Sequence, residues 1–163
     1  MDDEEYLTLI QRLGPKLYRF FLSRGTKTDA EESVQEVFTR LIERVNAAAF
    51  NKDLGNSDSY AWGIAMNLRR ERARSREISV VDQDYEVVDP ASLPVPGAEN
   101  FVALKKAVQT LGEPERTILQ LLLADMQISE ISAVLNMPNG TVKSHIHRGK
   151  ENIRAILRKW GVL

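Results

Sequence analysis

The chain has 163 residues, a formal net charge of −1, 43% hydrophobic and 28% charged residues, and no cysteine. This length suits one large domain or two small ones, and the lack of cysteine excludes disulfides, thiolate zinc sites and cysteine nucleophiles. No apolar run is long enough to cross a bilayer, and the acidic start MDDEEYLTLI lacks the basic residues of a secretory signal. We therefore expect a cytoplasmic protein.

The two histidines, His145 and His147, lie two positions apart on a predicted helix and therefore point in different directions. Two diverging ligands do not make a zinc site, so we predict no metal and no cofactor. The sequence also lacks a P-loop, a dinucleotide-binding fingerprint and a histidine with convergent carboxylates. We therefore predict that the protein is not an enzyme and that both histidines face solvent or DNA.

Two helices are predicted in the first 50 residues. The first starts with the acidic residues 2–5, is bent or divided at Gly14-Pro15, and stops at Gly25, with residues 26–28 as a turn. The second begins at Asp29 and has the sequence DAEESVQEVFTRLIERVNAAAF, in which apolar residues recur at helical spacing. Its opposite, acidic face is typical of a solvated surface when the pattern is considered alone.

A third helix is predicted from Asp58 to about Ser75, after a polar loop at residues 50–57. This helix begins with Tyr60 and Trp62 and becomes basic at its end. Aromatic rings beside a run of arginines suit an unstacked nucleic-acid strand, since the rings stack on bases and the cations bind phosphates. Taken alone, however, the aromatic residues favour a place in the core. The arginines of the run are Arg69, Arg70, Arg72, Arg74 and Arg76.

Residues 77–100 differ from the rest of the chain. They contain five acidic residues after Glu77 and three prolines, which disfavour helix. We predict that they form an extended acidic linker between two small helical domains, residues 1–76 and 101–163. The predicted fold class is therefore all-α.

The second domain is predicted to contain a helix-turn-helix. Helical spacing of apolar residues restarts at Phe101, stops at Gly112 and resumes from Glu115 to about Ala124. A short apolar helix then precedes a break at residues 136–138, and a longer helix runs from Asn139 to about Leu157. The second helix of such a pair can lie in the major groove of DNA.

The two faces of that last helix differ in chemistry. An inward stripe contains Val142, Ile146, Gly149 and Ile153, and Gly149 is small enough for a neighbouring helix to approach closely. Donors suited to phosphates and base edges fall on the flanks and the outer face: Thr141, Lys143, Ser144, His145, His147, Arg148 and Lys150. Two other interpretations remain open, a solvated cationic face and a helix-turn-helix that binds no DNA.

Three motifs carry a family resemblance. The run Glu130-Ile131-Ser132, then Gly140-Thr141-Val142-Lys143-Ser144, then His147-Arg148 resembles the promoter-binding domain of bacterial sigma factors of the extracytoplasmic-function (ECF) group, in the sigma-70 superfamily. Asp29-Ala30-Glu31-Glu32 with Val34-Gln35-Glu36 resembles their polymerase-binding segment. Ile64-Ala65-Met66-Asn67-Leu68 with Glu71-Arg72 resembles their −10 segment. The sequence departs from the commoner pattern at Gln127, His145 and Gly149, and Gln127 should weaken a helix start.

The resemblance implies an alternative sigma factor with the first domain on polymerase and the −10 strand and the second on the −35 duplex. Its implied partners are core RNA polymerase, through the β′ clamp helices and the β flap, promoter DNA, and the anti-sigma protein that usually restrains such factors. The duplex contacts would be the seven donors named above. The polymerase contacts would be Asp29, Glu31, Glu32, Gln35, Glu36 and Arg40, and the −10 strand contacts Phe50, Asn51, Lys52, Tyr60, Trp62, Asn67, Arg70, Arg72 and Arg74.

A different class of function is the alternative. In a conventional helix-turn-helix regulator, residues 1–76 would sense a signal or form a dimer, and only the second domain would touch DNA. Such a regulator protects DNA alone, whereas a sigma factor needs the polymerase.

Overall fold

The computed structural model describes residues 2–23, 25–47, 57–78 and 98–163. Within these ranges the chain forms seven α-helices and no strand, which confirms the predicted all-α class. The chain divides into two compact units, Met1–Asp84 and Tyr85–Leu163. Among the described helices, none combines the length and the apolar character that a bilayer-spanning segment requires.

Helix α1 runs from Asp3 to Leu22 without interruption, although it contains Pro15. The predicted division at Gly14-Pro15 is therefore wrong. Leu13 and Leu17, on either side of the proline, are both buried, and their packing offsets the hydrogen bond that proline cannot donate. At the start of α1, the backbone N–H of Glu5 donates to Asp2 Oδ1 at 2.8 Å, which caps the helix.

Helix α2 spans Lys27–Asn46 and begins two residues before the predicted start. Thr26 is its N-cap, because the Asp29 N–H donates to Thr26 Oγ1 at 3.1 Å and the Thr26 N–H donates back to Asp29 Oδ2 at 3.1 Å. This is a capping box, in which two orphan backbone donors are satisfied reciprocally. The last residues of the predicted helix, 48–50, lie outside the described residues.

Helix α3, Ser57–Ile78, completes the first unit, and each of its three helices packs against the other two. At the centre of the core, Phe20 meets Trp62 edge to face, with ring centroids 5.5 Å apart. Aromatic pairs prefer this geometry. The buried apolar side chains of this unit are Leu9, Leu13, Leu17, Phe20, Phe21, Ala30, Val37, Phe38, Leu41, Ala61, Trp62, Ala65, Met66 and Leu68.

The second unit contains α4 (Ala98–Thr110), α5 (Glu115–Leu123), α6 (Ile128–Leu135) and α7 (Asn139–Lys159), and α7 packs against the other three. Helices therefore occupy both ends of the predicted linker, at residues 77–78 and 98–100, while residues 79–97 lie outside the described part of the chain. The core residues of this unit are Ala107, Val108, Leu111, Ile118, Leu119, Leu121, Ala124, Met126, Ile131, Val142, Ile146, Ile153 and Leu157.

Gly149 brings α7 close to α5, as the sequence predicts. A Cβ atom at this position would lie 2.7 Å from Leu119 Cδ1 and 3.3 Å from its Cγ, and Leu119 is itself buried. These distances are shorter than ordinary carbon contacts. The absence of a side chain at Gly149 therefore sets how tightly the two helices meet.

The turn between α6 and α7 depends on Asn136, which ends α6 in the left-handed conformation with φ 51°. The Met137 N–H then donates to the Ser132 carbonyl at 3.0 Å, which closes the end of the helix. Asparagine tolerates this conformation better than most residues with a Cβ atom. The predicted break at residues 136–138 is confirmed, and the backbone at Asn136 is its cause.

This geometry makes Asn136 sensitive to side-chain shape. We expect Asn136→Val to lower the free energy of unfolding by about 1–2 kcal/mol, because a β-branched side chain is strained at positive φ. Asn136→Gly is the matched control, since glycine adopts this conformation freely and should stay close to the wild type. Urea denaturation followed by circular dichroism measures both. Equal losses in the two variants would contradict a role for backbone conformation at this turn.

Candidate nucleic-acid interface

The outer surface of α7 carries most of the donors predicted to bind duplex DNA. We call the exposed set the recognition face; it consists of Thr141, Lys143, Ser144, His147, Arg148 and Lys150. On the opposite side of the helix Val142, Ile146, Gly149 and Ile153 are buried, as the spacing predicts. The apolar stripe therefore fixes which side of α7 meets the core, and the recognition face is what remains for a partner.

Positive charge is concentrated on this helix. From residue 143 to residue 159 there are six Lys and Arg residues and one acid, Glu151, although the whole chain has a net charge of −1. Glu151 forms an ion pair with Arg154 on the same helix. An exposed cationic helix at the end of a helix-turn-helix has the charge that attracts a phosphate backbone.

His145 does not belong to the recognition face. Its side chain is only 15% exposed, and its Nδ1 lies 3.0 Å from Oε1 of Glu115 at the start of α5. The pKa of Glu115 is lowered, chiefly by the hydrogen bond with His145 and further by the charge of Arg148, although desolvation opposes the shift. The expectation that both histidines face solvent or DNA is therefore wrong for His145, because it turns toward a neighbouring helix.

Arg148 bridges this contact to the surface. Its Nε lies 3.5 Å from Glu115 Oε1, its Nη2 lies 2.8 Å from His145 Nδ1, and its side chain is 59% exposed. One carboxylate on α5 thus contacts two side chains of α7. Sequence reasoning did not assign Glu115 to the site, because nothing in the local pattern relates residue 115 to residues thirty positions away.

The basic half of α3 presents some of the predicted strand contacts. Asn67, Arg70 and Arg74 are exposed, and Arg70 Nη1 donates to Asn67 Oδ1 at 3.3 Å. Arg72 is half-buried and donates to the backbone carbonyl of Asp29 at 3.4 Å, which ties α3 to the start of α2. Tyr60 is half-buried as well. The predicted contacts Phe50, Asn51 and Lys52 lie outside the described residues.

Trp62 is the clear exception among the predicted strand contacts. Its side chain is 2% exposed and its ring packs edge to face on Phe20, so it has no free face on which a base could stack. The core interpretation of this aromatic residue, which the sequence left open, is the correct one. Arg69 lies over the Phe20 ring, 4.8 Å from its centroid, and its guanidinium group therefore packs on the core.

The polar face of α2 divides into two parts. Glu31, Glu32 and Gln35 are exposed, and we call them the acidic face; Glu31 Oε1 lies 3.9 Å from Lys27 Nζ. Asp29 lies at the helix start, where its carboxylate belongs to the capping box with Thr26. The acidic face is therefore the part of the predicted polymerase surface whose side chains take no part in capping the helix.

Arg40 occupies the other part of this surface and joins α2 to α3. Its Nε donates to Glu36 Oε1 at 2.7 Å, and its Nη1 and Nη2 donate to the two carboxylate oxygens of Glu71 at 3.2 and 3.0 Å. The hydrogen bond from Arg40 lowers the pKa of Glu71. A bidentate pair of this kind fixes geometry, so Glu36 and Arg40 already have partners within the protein.

Comparisons with known proteins agree with this architecture. The family model described as Sigma-70, region 4 matches residues 101–153, which contain most of α4, all of α5 and α6, and most of α7. The ECF RNA polymerase sigma factor SigW of Bacillus subtilis (strain 168) is 26% identical over 173 residues, covering 96% of this chain and 91% of that protein. Over nearly its whole length the chain is therefore similar to ECF sigma factors.

Two further proteins are similar to this chain. The ECF RNA polymerase sigma factor SigE of Mycolicibacterium smegmatis is 29% identical over 165 residues, which are 93% of this chain and 61% of that protein. The sigma factor RpoE from Bartonella quintana, solved with the anti-sigma factor NepR, shares the fold with a TM-score of 0.68 at 20% identity, covering 95% of this chain and 98% of that chain. The relatives are transcription initiation factors by name.

The burial of Trp62 has a measurable consequence. We expect Trp62→Ala to lower the free energy of unfolding by about 3–5 kcal/mol, because the substitution leaves a large cavity beside Phe20. Asn67→Ala is the control on the same helix; its side chain is exposed, so its effect should stay within about 0.5 kcal/mol. Urea denaturation reports both values. A Trp62→Ala variant as stable as the wild type would contradict the burial of Trp62 in the core.

Proposed function

We propose that this chain is an ECF sigma factor that binds core RNA polymerase, places α7 in the major groove of the −35 element and holds the melted −10 strand with its first unit. The observation that carries the proposal is the recognition face, a set of exposed donors and cations supported by a buried stripe on the second helix of a helix-turn-helix. Each step of the mechanism is binding, without chemistry by the chain itself.

Duplex binding would use the recognition face in two ways. Lys143 and Lys150 are exposed cations suited to phosphates, which position the helix without reading sequence. Thr141 and Ser144, near the start of α7, can exchange hydrogen bonds with base edges. Ser144 Oγ already donates to the Gly140 carbonyl at 3.0 Å, so its remaining capacity is to accept. Positive charge then supplies affinity, and the shorter polar residues supply preference.

Strand capture would use the exposed end of α3. Asn67, Arg70 and Arg74 offer donors for a single strand, and residues 50–52 are proposed to pocket a flipped base. Unstacking a base costs a few kcal/mol, and stacking it on an aromatic side chain returns about 1–3 kcal/mol per base. A short captured strand can therefore hold a bubble open without ATP. Trp62 has no part in this proposal because it is buried.

Polymerase binding would use the acidic face of α2 on the β′ clamp helices, and the second unit on the β flap. Glu32 and Gln35 are exposed and lie outside both the capping box and the Arg40 pair, so they can meet a basic partner without breaking an internal contact. We also propose that an anti-sigma protein binds this chain and covers such surfaces; the Bartonella quintana relative was solved in complex with an anti-sigma factor. Because its proposed partner is RNA polymerase, we also propose that the protein acts in the cytoplasm.

DNA protection with and without core polymerase tests the proposed function. A pool of genomic promoter fragments is incubated with the chain alone, with core polymerase alone, and with both, and protected fragments are sequenced. We expect discrete protected sites only with both, because the two elements are read together on polymerase. Protection of the same sites by the chain alone would instead support a helix-turn-helix regulator.

The acidic face gives a separate prediction. We expect Glu32→Lys to weaken binding to core polymerase about tenfold, since an exposed carboxylate that meets a basic surface is replaced by a like charge. Glu43→Lys is the matched control: it makes the same change of charge at another exposed position of α2, beyond the proposed contacts. Competition between each variant and the wild type for a limiting amount of core measures the effect.

The two variants must also be shown to fold. Neither Glu32 nor Glu43 is buried, so melting temperatures close to the wild type are expected. Equal competition by Glu32→Lys and the wild type would contradict polymerase binding by the acidic face and would support an ordinary solvated surface. Equal losses in Glu32→Lys and Glu43→Lys would indicate a general effect of charge.

A further inference from the structure

The contact between Glu115 and α7 differs from two other ion pairs among the described residues of the second unit, because it joins two helices. Glu113 pairs with Arg116 and Glu151 pairs with Arg154, each within one short stretch of chain. Glu115 instead lies in the first turn of α5 and contacts residues of α7, its side chain being only 16% exposed. A largely buried carboxylate therefore lies behind the recognition face.

The chemistry of the three groups makes Glu115 the anchor. A guanidinium group can only donate hydrogen bonds, whereas His145 Nδ1 donates when it carries a proton and accepts when it does not. His145 Nδ1 therefore cannot donate to Glu115 at 3.0 Å and accept from Arg148 Nη2 at 2.8 Å with the same proton in place. An ionised Glu115 only accepts hydrogen bonds. It accepts from His145 Nδ1 when that nitrogen carries a proton, and it lies 3.5 Å from the Arg148 Nε whether or not the proton is there.

Arg148 is held on one side and open on the other. Its Nε and Nη2 face Glu115 and His145, while the side chain as a whole is 59% exposed. The five N–H donors of a guanidinium group lie in one rigid plane. Fixing the Nε edge of that plane therefore fixes the direction of the Nη1 group. Within the described part of the chain, Nη1 has no hydrogen-bond partner.

We propose that Glu115 is a positioning residue for promoter recognition: through its ion pair with the Arg148 Nε it orients Arg148, so that one edge of the guanidinium group is presented to the DNA. The inference rests on the proposed function, because it needs α7 to bind the −35 element. Glu115 itself does not touch DNA in this arrangement. It selects one direction for a long side chain that would otherwise sample many.

A merely structural role for Glu115 does not account for the geometry as well. The α5–α7 contact is already fixed by buried apolar side chains and by the close approach of Leu119 to Gly149. The Arg148 side chain is 59% exposed, and an ion pair with one partner open to water adds little to stability, because water screens it and the side chains lose freedom. Removal of the carboxylate should therefore leave the fold intact and change what Arg148 can do.

The effect of charge alone has the opposite sign from the effect of positioning. If Glu115 acted only as a negative charge near DNA, its removal would strengthen binding to every duplex, because phosphate repulsion would fall. If Glu115 orients Arg148, its removal lowers the preference for the correct bases, and each well-placed bidentate contact contributes about fivefold or more to that preference. Discrimination and overall affinity therefore separate the two roles.

The test uses holoenzyme reconstituted from the full chain and bacterial core polymerase, with linear promoter fragments randomised over the −35 element. Bound fragments are sequenced to give a preference for each base at each position. For Glu115→Gln we expect the preference to fall about fivefold or more at one or two positions, with a melting temperature within about 4 °C of the wild type. Glu151→Gln is the matched control, since it removes one carboxylate from the recognition helix and should leave the preferences unchanged.

A double-mutant cycle tests whether the effect passes through Arg148. In an Arg148→Ala background, Glu115→Gln should produce no further loss of preference at the same positions, because the group that Glu115 orients is absent. Additive losses would overturn the inference. A uniform rise in affinity with unchanged preferences in Glu115→Gln alone would also overturn it. A large loss of thermal stability in Glu115→Gln would overturn it as well, if Glu115→Asp, which keeps the charge, failed to restore that stability.

Failure of this inference can be told from failure of the proposed function. If wild-type holoenzyme enriches no −35 sequence, the proposed function fails. If wild-type holoenzyme enriches a clear sequence and Glu115→Gln enriches the same sequence equally strongly, only the positioning role of Glu115 is overturned.

Discussion

The close packing of α7 on α5 is the constraint on which the DNA-facing part of the protein depends. Gly149 lets α7 approach until Leu119 occupies the space where a side chain would be. The same approach brings Glu115 of α5 within hydrogen-bonding distance of His145. The buried stripe and the polar contact are therefore two consequences of one helix–helix distance, and together they decide which residues of α7 remain exposed.

The first unit shows a similar division between structure and surface. The Phe20 ring contacts the Trp62 ring of α3 edge to face, and the Arg69 guanidinium group lies over its face. Part of the segment that the sequence predicts as a nucleic-acid surface therefore packs in the core. Arg40 is likewise committed to Glu71. Among the described residues of the predicted surfaces, the exposed set is smaller than the charge pattern suggests: it consists of the acidic face on α2, and of Asn67, Arg70 and Arg74 on α3.

Local sequence patterns predicted the features that depend on neighbours in the chain. Apolar spacing placed Val142, Ile146 and Gly149 on the buried side of α7, and the break at Asn136 separated the two helices of the motif. The early start of α2 was also available from sequence, because Thr26 and Asp29 have capping-box spacing. The expected weakness at Gln127 is offset by Glu130, whose Oε2 accepts from the Gln127 N–H at 2.7 Å.

Contacts between distant residues could not be read in this way. Trp62 and Tyr60 belong to the same aromatic pattern, and only the position of Phe20 on another helix shows that Trp62 is internal. His145 looked like its exposed neighbours because helical periodicity gives directions around one axis and not the place of a second helix. Glu115 and Glu71 were missed as partners for the same reason, since each contacts residues about thirty positions away.

Promoter-directed initiation is the central claim for this protein, and run-off transcription measures it most directly. The purified chain, bacterial core polymerase and a library of genomic promoter fragments are combined, and the 5′ ends of the transcripts are mapped. The account predicts discrete start sites that appear only when both proteins are present and that share sequence in the −35 and −10 regions. Transcripts no different from those of core polymerase alone would contradict it.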